Sequence, residues 1–205
     1  MGIMNKFIVI EGLDGSGKST VTKLLAERFA ANNLPCHVTF EPTANPMGKL
    51  LRAILSGEVK NIENDSFALL FAADRYQHLK SEMLPALAHS HVICDRYYYS
   101  SMAYQGIDAE TLERVVAYNQ AVMPIRKPDI VFFLNVTPQA CVQRIAARGE
   151  TVNIYDSLPA LTLRYERFMA AIDRMKATDN IVFVGSDTAT PEEVVEQMWT
   201  YFHKL

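Results

Sequence analysis

Short, almost uninterrupted apolar runs alternate along this chain with stretches in which apolar residues recur every three or four positions. The runs cover residues 7–10, 36–40, 91–95, 129–135 and 180–184. Each has the length and the Val/Ile/Phe character of a strand buried on both faces. The helical periodicity predicts helices opening near Lys18, over 47–55, over 66–89 and over 109–122, with another starting at Pro138 and one over about 159–177. Arg148-Gly149 reads as a basic last turn followed by a C′ glycine. Thr190-Pro-Glu-Glu193 is a capping box with proline at N1, opening the last helix. Strands separated by helices imply an α/β fold, a five-stranded parallel β-sheet flanked by helices on both faces. No repeat, low-complexity tract or linker interrupts it, so residues 1–205 are expected to form one domain.

Composition narrows the partners. The chain has 205 residues, 49% hydrophobic and 21% charged, which is ordinary for a globular protein. A formal net charge of −3 speaks against a general nucleic-acid binder. It leaves room for a small phosphorylated ligand, which needs only a local cluster of Arg and Lys. Cys36, Cys94 and Cys141 are widely spaced and odd in number, which favours reduced thiols in a cytoplasmic protein. The first residues lack the apolar stretch of a signal peptide, and position 6 is Lys, which breaks the myristoylation pattern of Gly2. No run of about 18 apolar residues offers a membrane span.

The chemistry begins at Glu11-Gly-Leu-Asp-Gly-Ser-Gly-Lys-Ser-Thr20. Gly12, Gly17, Lys18 and Ser19 satisfy the phosphate-loop (P-loop) pattern G-x-x-x-x-G-K-[ST], with a strand before it and a helix after it, the context the motif requires. Glycines at 12, 15 and 17 let successive N–H groups turn inward as an anion nest, and the helix beginning near Lys18 adds its positive dipole end. Lys18 can reach β- and γ-phosphates, and the Ser19 hydroxyl can ligate Mg²⁺. Ligands in such sheets sit beyond the carboxyl ends of the strands. That rim collects the loop, Glu41-Pro42-Thr43, Asp95-Arg96 and the residues after Asn135.

Asp95 can hold Mg²⁺ directly or through water, and Arg96 can clamp phosphoryl oxygens. A simple ion pair at a strand end is the bland alternative. Phe71 and Arg75 lie one helical turn apart on one face, which suits a nucleobase, although an aromatic at this spacing is commonly core. Arg144 and Arg148, also four apart, repel one another unless an anion lies between them or both are solvated.

Together these residues resemble the thymidylate kinase family. Asp95-Arg-Tyr-Tyr-Tyr-Ser-Ser-Met-Ala-Tyr-Gln105 is similar to the family signature almost position by position. The loop at 11–20, Leu69-Leu-Phe-Ala-Ala-Asp-Arg75 and Lys127-Pro-Asp129 also match. The resemblance implies a P-loop kinase fold with a short lid at about 149–157. It implies transfer of the ATP γ-phosphoryl group to dTMP with Mg²⁺ held by Ser19 and Asp95, in a homodimer. Gly12, Gly15, Ser16, Gly17, Lys18, Ser19, Thr20, Arg144 and Arg148 would bind ATP, with Lys18, Asp95, Arg96 and Arg148 catalytic. Asp14 would bond the sugar 3′-hydroxyl, Phe71 would stack on thymine, and Arg75 would donate to its O4, with Ser101 at the N3 edge. Tyr104 would crowd the 2′ position, Arg52 and Arg96 would hold the acceptor phosphate, and Tyr155 would close over the sugar. Pro42 and Gln105 would complete the acceptor site.

Two departures stand out. Family members place an arginine in the phosphate loop or the lid, whereas this loop has Gly15 and residues 151–157 hold no Lys or Arg. Many bacterial members have Arg-Glu-Pro where this chain has Phe40-Glu41-Pro42. A related kinase for another nucleotide or nucleoside, and a nucleotide-binding protein without turnover, are therefore the competing readings. A GTPase is disfavoured because no Asn-Lys-x-Asp occurs.

Overall fold

A computed structural model describes residues 4–121, 126–147 and 157–205. Strands β1 (Phe7–Glu11), β2 (Cys36–Phe40), β3 (His91–Asp95), β4 (Ile130–Leu134) and β5 (Ile181–Val184) form one sheet of order β2-β3-β1-β4-β5, parallel at every pairing. The helices are α1 (Lys18–Ala31), α2 (Pro46–Leu55), α3 (Asn64–His78), α4 (Leu84–Leu87), α5 (Tyr98–Gln105), α6 (Ala109–Asn119), α7 (Pro138–Ala147), α8 (Leu158–Met175) and α9 (Pro191–Phe202). This is the α/β architecture that the alternating pattern implies.

Residues alternate between the two faces of each strand. Phe7, Val9, Val92, Cys94, Val131 and Phe133 join one core with Tyr97–Tyr99 of the β3–α5 junction and Phe168 of α8. Ile8, Ile10, Ile93, Phe132 and Leu134 join the other, against Phe29 of α1 and Trp199 and Phe202 of α9. Both cores are continuous because every strand residue of β1 and β4 is buried. Register then fixes the working rim: Ile10 pairs with both Asp95 and Phe132, so the strands end together. The chain leaves β1 toward β2 on one side, while β4 lies on the other, which opens a crevice at the end of β1.

The five strands and the last helix match expectation, including the reciprocal Thr190–Glu193 capping box. The single helix expected over 66–89 does not form. Instead α3 ends at His78, a π turn spans Leu79–Met83, and α4 follows. Pro85 has no N–H for the carbonyl four residues earlier, so the regular ladder cannot run through this segment. The helix α5 has no counterpart in the sequence reading, and the end expected at Arg148-Gly149 lies outside the described residues.

Candidate active site

Glycine is required at position 15 for two reasons. Its φ of +80° belongs to the left-handed region, and a Cβ there would lie 2.7 Å from the Cys141 carbonyl oxygen and 2.8 Å from Ile145. Helix α7 thus packs on the loop so closely that no side chain can leave it at 15. Arg144 of the same helix donates to the carbonyls of Ser16 at 3.1 Å and Asp187 at 2.9 Å. It forms one wall of a cavity of about 340 Å³ that also takes in Gly15, Ser16, Gly17, Thr20 and the turn after β5 at Gly185-Ser186. On the other side of the loop, Lys18, Ser19, Thr20, Asp95 and Arg96 line a polar mouth of about 320 Å³. Lys18 is buried, its ammonium donating to the carbonyls of Gly12 at 2.9 Å and Leu13 at 2.7 Å. Burial, reinforced by the charge of Arg96, pushes its pKa down to about 8.

Beside that mouth lies a cavity of about 220 Å³ whose wall includes Phe71, Arg75, Ser101, Tyr104 and Gln105, with Pro42 and Leu55 at its edge. Phe71 is half-buried and touches Phe67 at 4.9 Å between ring centroids, so the ring is part of a wall and not of the core. Arg75 is fully buried: its Nε donates to Glu41 at 2.8 Å, Nη1 to Asn119 at 2.6 Å and Nη2 to Ser101 Oγ at 3.1 Å. Glu41 also takes the His78 imidazole at 3.1 Å. Burial opposes a charged imidazole, but the hydrogen bond and charge of Glu41 outweigh it and raise the His78 pKa. Glu41, His78 and Cys94 converge as ligand-type groups. Both Glu41 oxygens are nevertheless engaged, and the Cys94 thiol donates to the Arg96 carbonyl at 3.1 Å.

The two spaces meet at Asp14 and Arg96, which line both. Asp14 accepts from the Arg96 guanidinium and the Tyr104 hydroxyl, and Arg164 Nη1 lies 3.7 Å away. Burial alone would raise the Asp14 carboxyl; Arg96, Lys18, the Tyr104 hydroxyl and Arg164 outweigh it and hold its pKa far below the usual carboxylate range. Arg96 itself has φ +70°, a strained value for a side-chain-bearing residue, at the point where β3 turns into α5.

Local scaffolding explains how these side chains are held. Helix α5 has no side-chain N-cap of its own. Glu11, buried at the end of β1, accepts from the amides of Tyr97 at 2.8 Å and Ser100 at 3.0 Å and from the Ser100 hydroxyl at 2.7 Å. Burial raises the pKa of Glu11, against the pull of Arg96 and these donors. Asp74 holds the 42–43 turn through the Thr43 amide at 2.9 Å and hydroxyl at 2.6 Å. Arg52 donates to the carbonyls of Pro42 and Thr43, and Gly48 lets α2 press against Thr43, whose carbonyl oxygen would lie 1.8 Å from a Cβ at 48.

Asp95 and Ser19 fit a hard divalent cation. Asp95 Oδ2 accepts from Ser19 Oγ at 3.3 Å, and Asp95 Oδ1 is buried with no hydrogen-bond partner. Such an orphaned carboxylate oxygen beside a hydroxyl at a phosphate loop is a donor set of the type magnesium takes.

The expected site residues Gly15–Thr20 and Arg144 border the loop cavities, while Asp14, Pro42, Phe71, Arg75, Arg96, Ser101, Tyr104 and Gln105 border the adjoining one. Arg52 reaches its rim only through carbonyl oxygens. Arg148, Tyr155 and most of the lid at 149–157 lie outside the described residues. Sequence reasoning missed Glu11 as the cap of α5, Asn119 behind Arg75, the 185–186 turn and Arg164. Only the turn had a signal, as the residues directly after a strand at the carboxyl rim.

A phosphate loop on a doubly covered parallel sheet, joined to a second cavity lined by an aromatic and buried polar groups, defines a phosphate-loop nucleotide kinase. Comparison with known proteins agrees. The thymidylate kinase family model matches residues 10–198. A probable thymidylate kinase of Methanococcus aeolicus is 36% identical over 197 residues, covering 95% of this chain and 94% of that protein. One from Methanocaldococcus jannaschii is 34% identical over 201 residues, covering 98% and 97%. One from Pyrococcus horikoshii is 42% identical over 163 residues, 76% of each chain. The chain belongs to the thymidylate kinase family.

Proposed function

We propose that the protein transfers the γ-phosphoryl group of ATP to the 5′-phosphate of dTMP, giving dTDP and ADP. The observation that carries this reading is the joint at Asp14–Arg96, where a phosphate loop opens onto a base-sized cavity walled by Phe71, Arg75 and Ser101. ATP occupies the loop, with Gly12, Gly15, Ser16, Gly17, Ser19 and Thr20 around its phosphates and Arg144 at the nucleoside side. Lys18 turns from the Gly12 and Leu13 carbonyls to the β- and γ-phosphates. Phe71 stacks on thymine while Arg75, held by Glu41 and Asn119, reads the base edge beside Ser101. Asp14 takes the sugar hydroxyl, Tyr104 bounds the 2′ side, and Pro42 and Gln105 close the cavity. Arg96 moves from Asp14 to the acceptor phosphate. Arg148 and Tyr155 act from the lid.

The attacking atom is a phosphate oxygen, anionic at neutral pH, so no general base is needed. Alignment and neutralisation of spreading charge do the catalytic work. Mg²⁺, held by Ser19 and Asp95, supplies charge neutralisation on the triphosphate when bound.

Among the described residues no helix is long and apolar enough to cross a membrane. Free cysteines support a reducing, cytoplasmic setting. The reading takes residues 1–205 as one catalytic domain without nucleic-acid partners. Exposed Leu69 and Tyr76, seven apart on the outer face of α3, support pairing of two copies there. A coupled assay for ADP with dTMP and Mg²⁺ tests the activity, and size-exclusion with light scattering tests the dimer. Phe40, half exposed on edge strand β2 where a phosphate-binding arginine is usual, favours the second reading of a different acceptor.

A further inference from the structure

Arg75 does not hold its place at the base-sized cavity alone. One oxygen of Glu41, Oε2, lies 2.8 Å from both its Nε and its Nη2. The other, Oε1, belongs to the His78 imidazole, whose Nδ1 is 3.1 Å away. Arg75, Glu41 and His78 are all buried. The second ring nitrogen, Nε2, lies 2.7 Å from Thr39 Oγ1 and 3.6 Å from Glu82 Oε1. Glu82 stands in the π turn Leu79–Met83, directly after His78, and is partly exposed. His37 of β2, also partly exposed, meets the same Glu82 oxygen at 2.9 Å. A line of polar contacts thus runs from solvent to the base edge of the cavity.

The charges around His78 favour an imidazolium. Glu41 faces it from the turn after β2, Asp74 from the preceding turn of α3, and Glu82 from the π turn. Arg75 lies across Glu41, and Cys94 of β3, whose thiol burial pushes far up, adds no charge. Burial opposes the charged ring, but the hydrogen bond and charge of Glu41, with the charges of Glu82 and Asp74, outweigh it. Chemistry then decides which proton is exchangeable. Nδ1 keeps its hydrogen, because a carboxylate only accepts, whereas the Thr39 hydroxyl can turn from acceptor to donor. Nε2–H is the proton that leaves as pH rises.

Its departure matters for Arg75. A neutral ring loses the Coulombic part of its attraction for Glu41, so Oε1 is held less firmly. Glu41 can then rotate until each oxygen meets one of Nε and Nη2, the fork that guanidinium and carboxylate favour. That fork draws Nη2 toward Glu41 and away from Ser101 Oγ, which it meets at 3.1 Å.

We propose that His78 is a positioning residue for the acceptor base: as an imidazolium it occupies Glu41 Oε1 and so keeps Arg75 turned to Ser101 and the cavity, and acceptor affinity falls when Nε2 gives up its proton. The proposal rests on the reading of that cavity as the acceptor site. His78 borders neither the cavity nor the phosphate-loop mouth, so its effect falls on acceptor binding and not on the transfer step.

The test measures the Kd of the full-length protein for dTMP by calorimetry, without ATP, from about pH 6 to about 9, with kcat at saturating dTMP alongside. Wild type is compared with His78→Gln, which keeps a donor for Glu41 but cannot titrate. Ionisation of the nucleotide is common to both and cancels in the comparison. One hydrogen bond is worth roughly fivefold in affinity, so the wild-type Kd divided by that of His78→Gln is expected to rise by about that factor as His78 deprotonates, while the kcat profiles stay parallel. Glu82→Gln removes a charge that sustains the imidazolium and is expected to move the same limb to lower pH. A His78 with only a structural role would change the melting temperature and leave that ratio flat. A flat ratio, or a pH-dependent difference in kcat instead of Kd, overturns the proposal. If His78→Gln fails to fold, Glu82→Gln against wild type decides: a limb at lower pH supports the assignment, and an unmoved limb contradicts it. A wild type that binds no dTMP overturns the acceptor assignment instead. The same comparison is then run with whichever nucleotide the cavity binds, where a flat ratio still overturns the role of His78.

Discussion

Asp14 and Arg96 are ion-paired across the line where the phosphate-loop mouth meets the acceptor cavity. The pairing holds the Arg96 guanidinium at this joint with an opposite charge beside it. Replacing Arg96 with Met is expected to lower kcat/KM for the acceptor by about 10²-fold or more, because the carboxylate remains while the phosphate clamp is gone. Because the Asp14 pKa is depressed, its share of stability is present above the ordinary Asp range and is lost only as pH falls below it. A pH–rate profile should therefore lack an acid limb from Asp14 between about pH 5 and 7.

Lys18 titrates in the opposite sense. Its pKa is down to about 8, so kcat/KM for ATP, which reports free enzyme, is expected to fall as pH rises through that value. Between about 8 and 10.5 the unfolded chain binds more protons at this lysine than the folded one, so its contribution to stability rises with pH there. Lys18→Arg should erase the kinetic limb, and a limb that survives would assign it elsewhere.

Phe71 offers a ring to the acceptor cavity. Stacking on a base is worth about 1–3 kcal/mol, so Phe71→Ala is expected to raise the acceptor Kd roughly tenfold or more while leaving ATP binding alone. Calorimetric titration with each nucleotide separates these outcomes. Equal losses for both would return Phe71 to a packing role.

Glu41 is the hinge of a buried chain of charge, with the side chains of Arg75 and His78 on its two oxygens. Removing one partner of a buried pair costs about 3–5 kcal/mol. Glu41→Gln is expected to lose stability of that order in denaturant unfolding, and acceptor affinity with it as Arg75 loosens. His78 has a raised pKa, so its contribution to wild-type stability is full below the ordinary histidine value and is lost as pH rises through the raised one. That pH dependence should shrink in Glu41→Gln, leaving the smaller part that Glu82 and Asp74 sustain. A variant as stable as wild type would contradict the described pairing.

Much of this architecture was readable from residues alone, and the gaps have physical causes. The inner strands β1, β3 and β4 announce themselves because both their faces are buried, which writes them as Val/Ile/Phe runs, whereas the edge strands β2 and β5 keep that apolar character although Val38, Phe40 and Phe183 are exposed. The phosphate loop is legible because its function depends on backbone geometry that only a fixed glycine spacing permits. Helix α5 hides because Tyr97 to Met102 is buried almost all round, so no polar face marks the period, and its cap comes from Glu11, 86 residues away from Tyr97. The break after His78 hides because a lone proline inside an apolar pattern does not say whether the helix kinks, ends or widens. Arg164 and Asn119 carry no local signal at all. Each becomes visible only when the sheet order brings its helix against α5 or α3.

The central claim is that the cavity beside the phosphate loop receives dTMP as phosphoryl acceptor. An acceptor screen with ATP and Mg²⁺, following ADP release with dTMP, dUMP, dCMP, dGMP and thymidine side by side, tests it most directly. The account predicts turnover with dTMP and dTDP as product, with the other acceptors far behind. A clear preference for another acceptor, or ATP binding with no transfer to any of them, would contradict it.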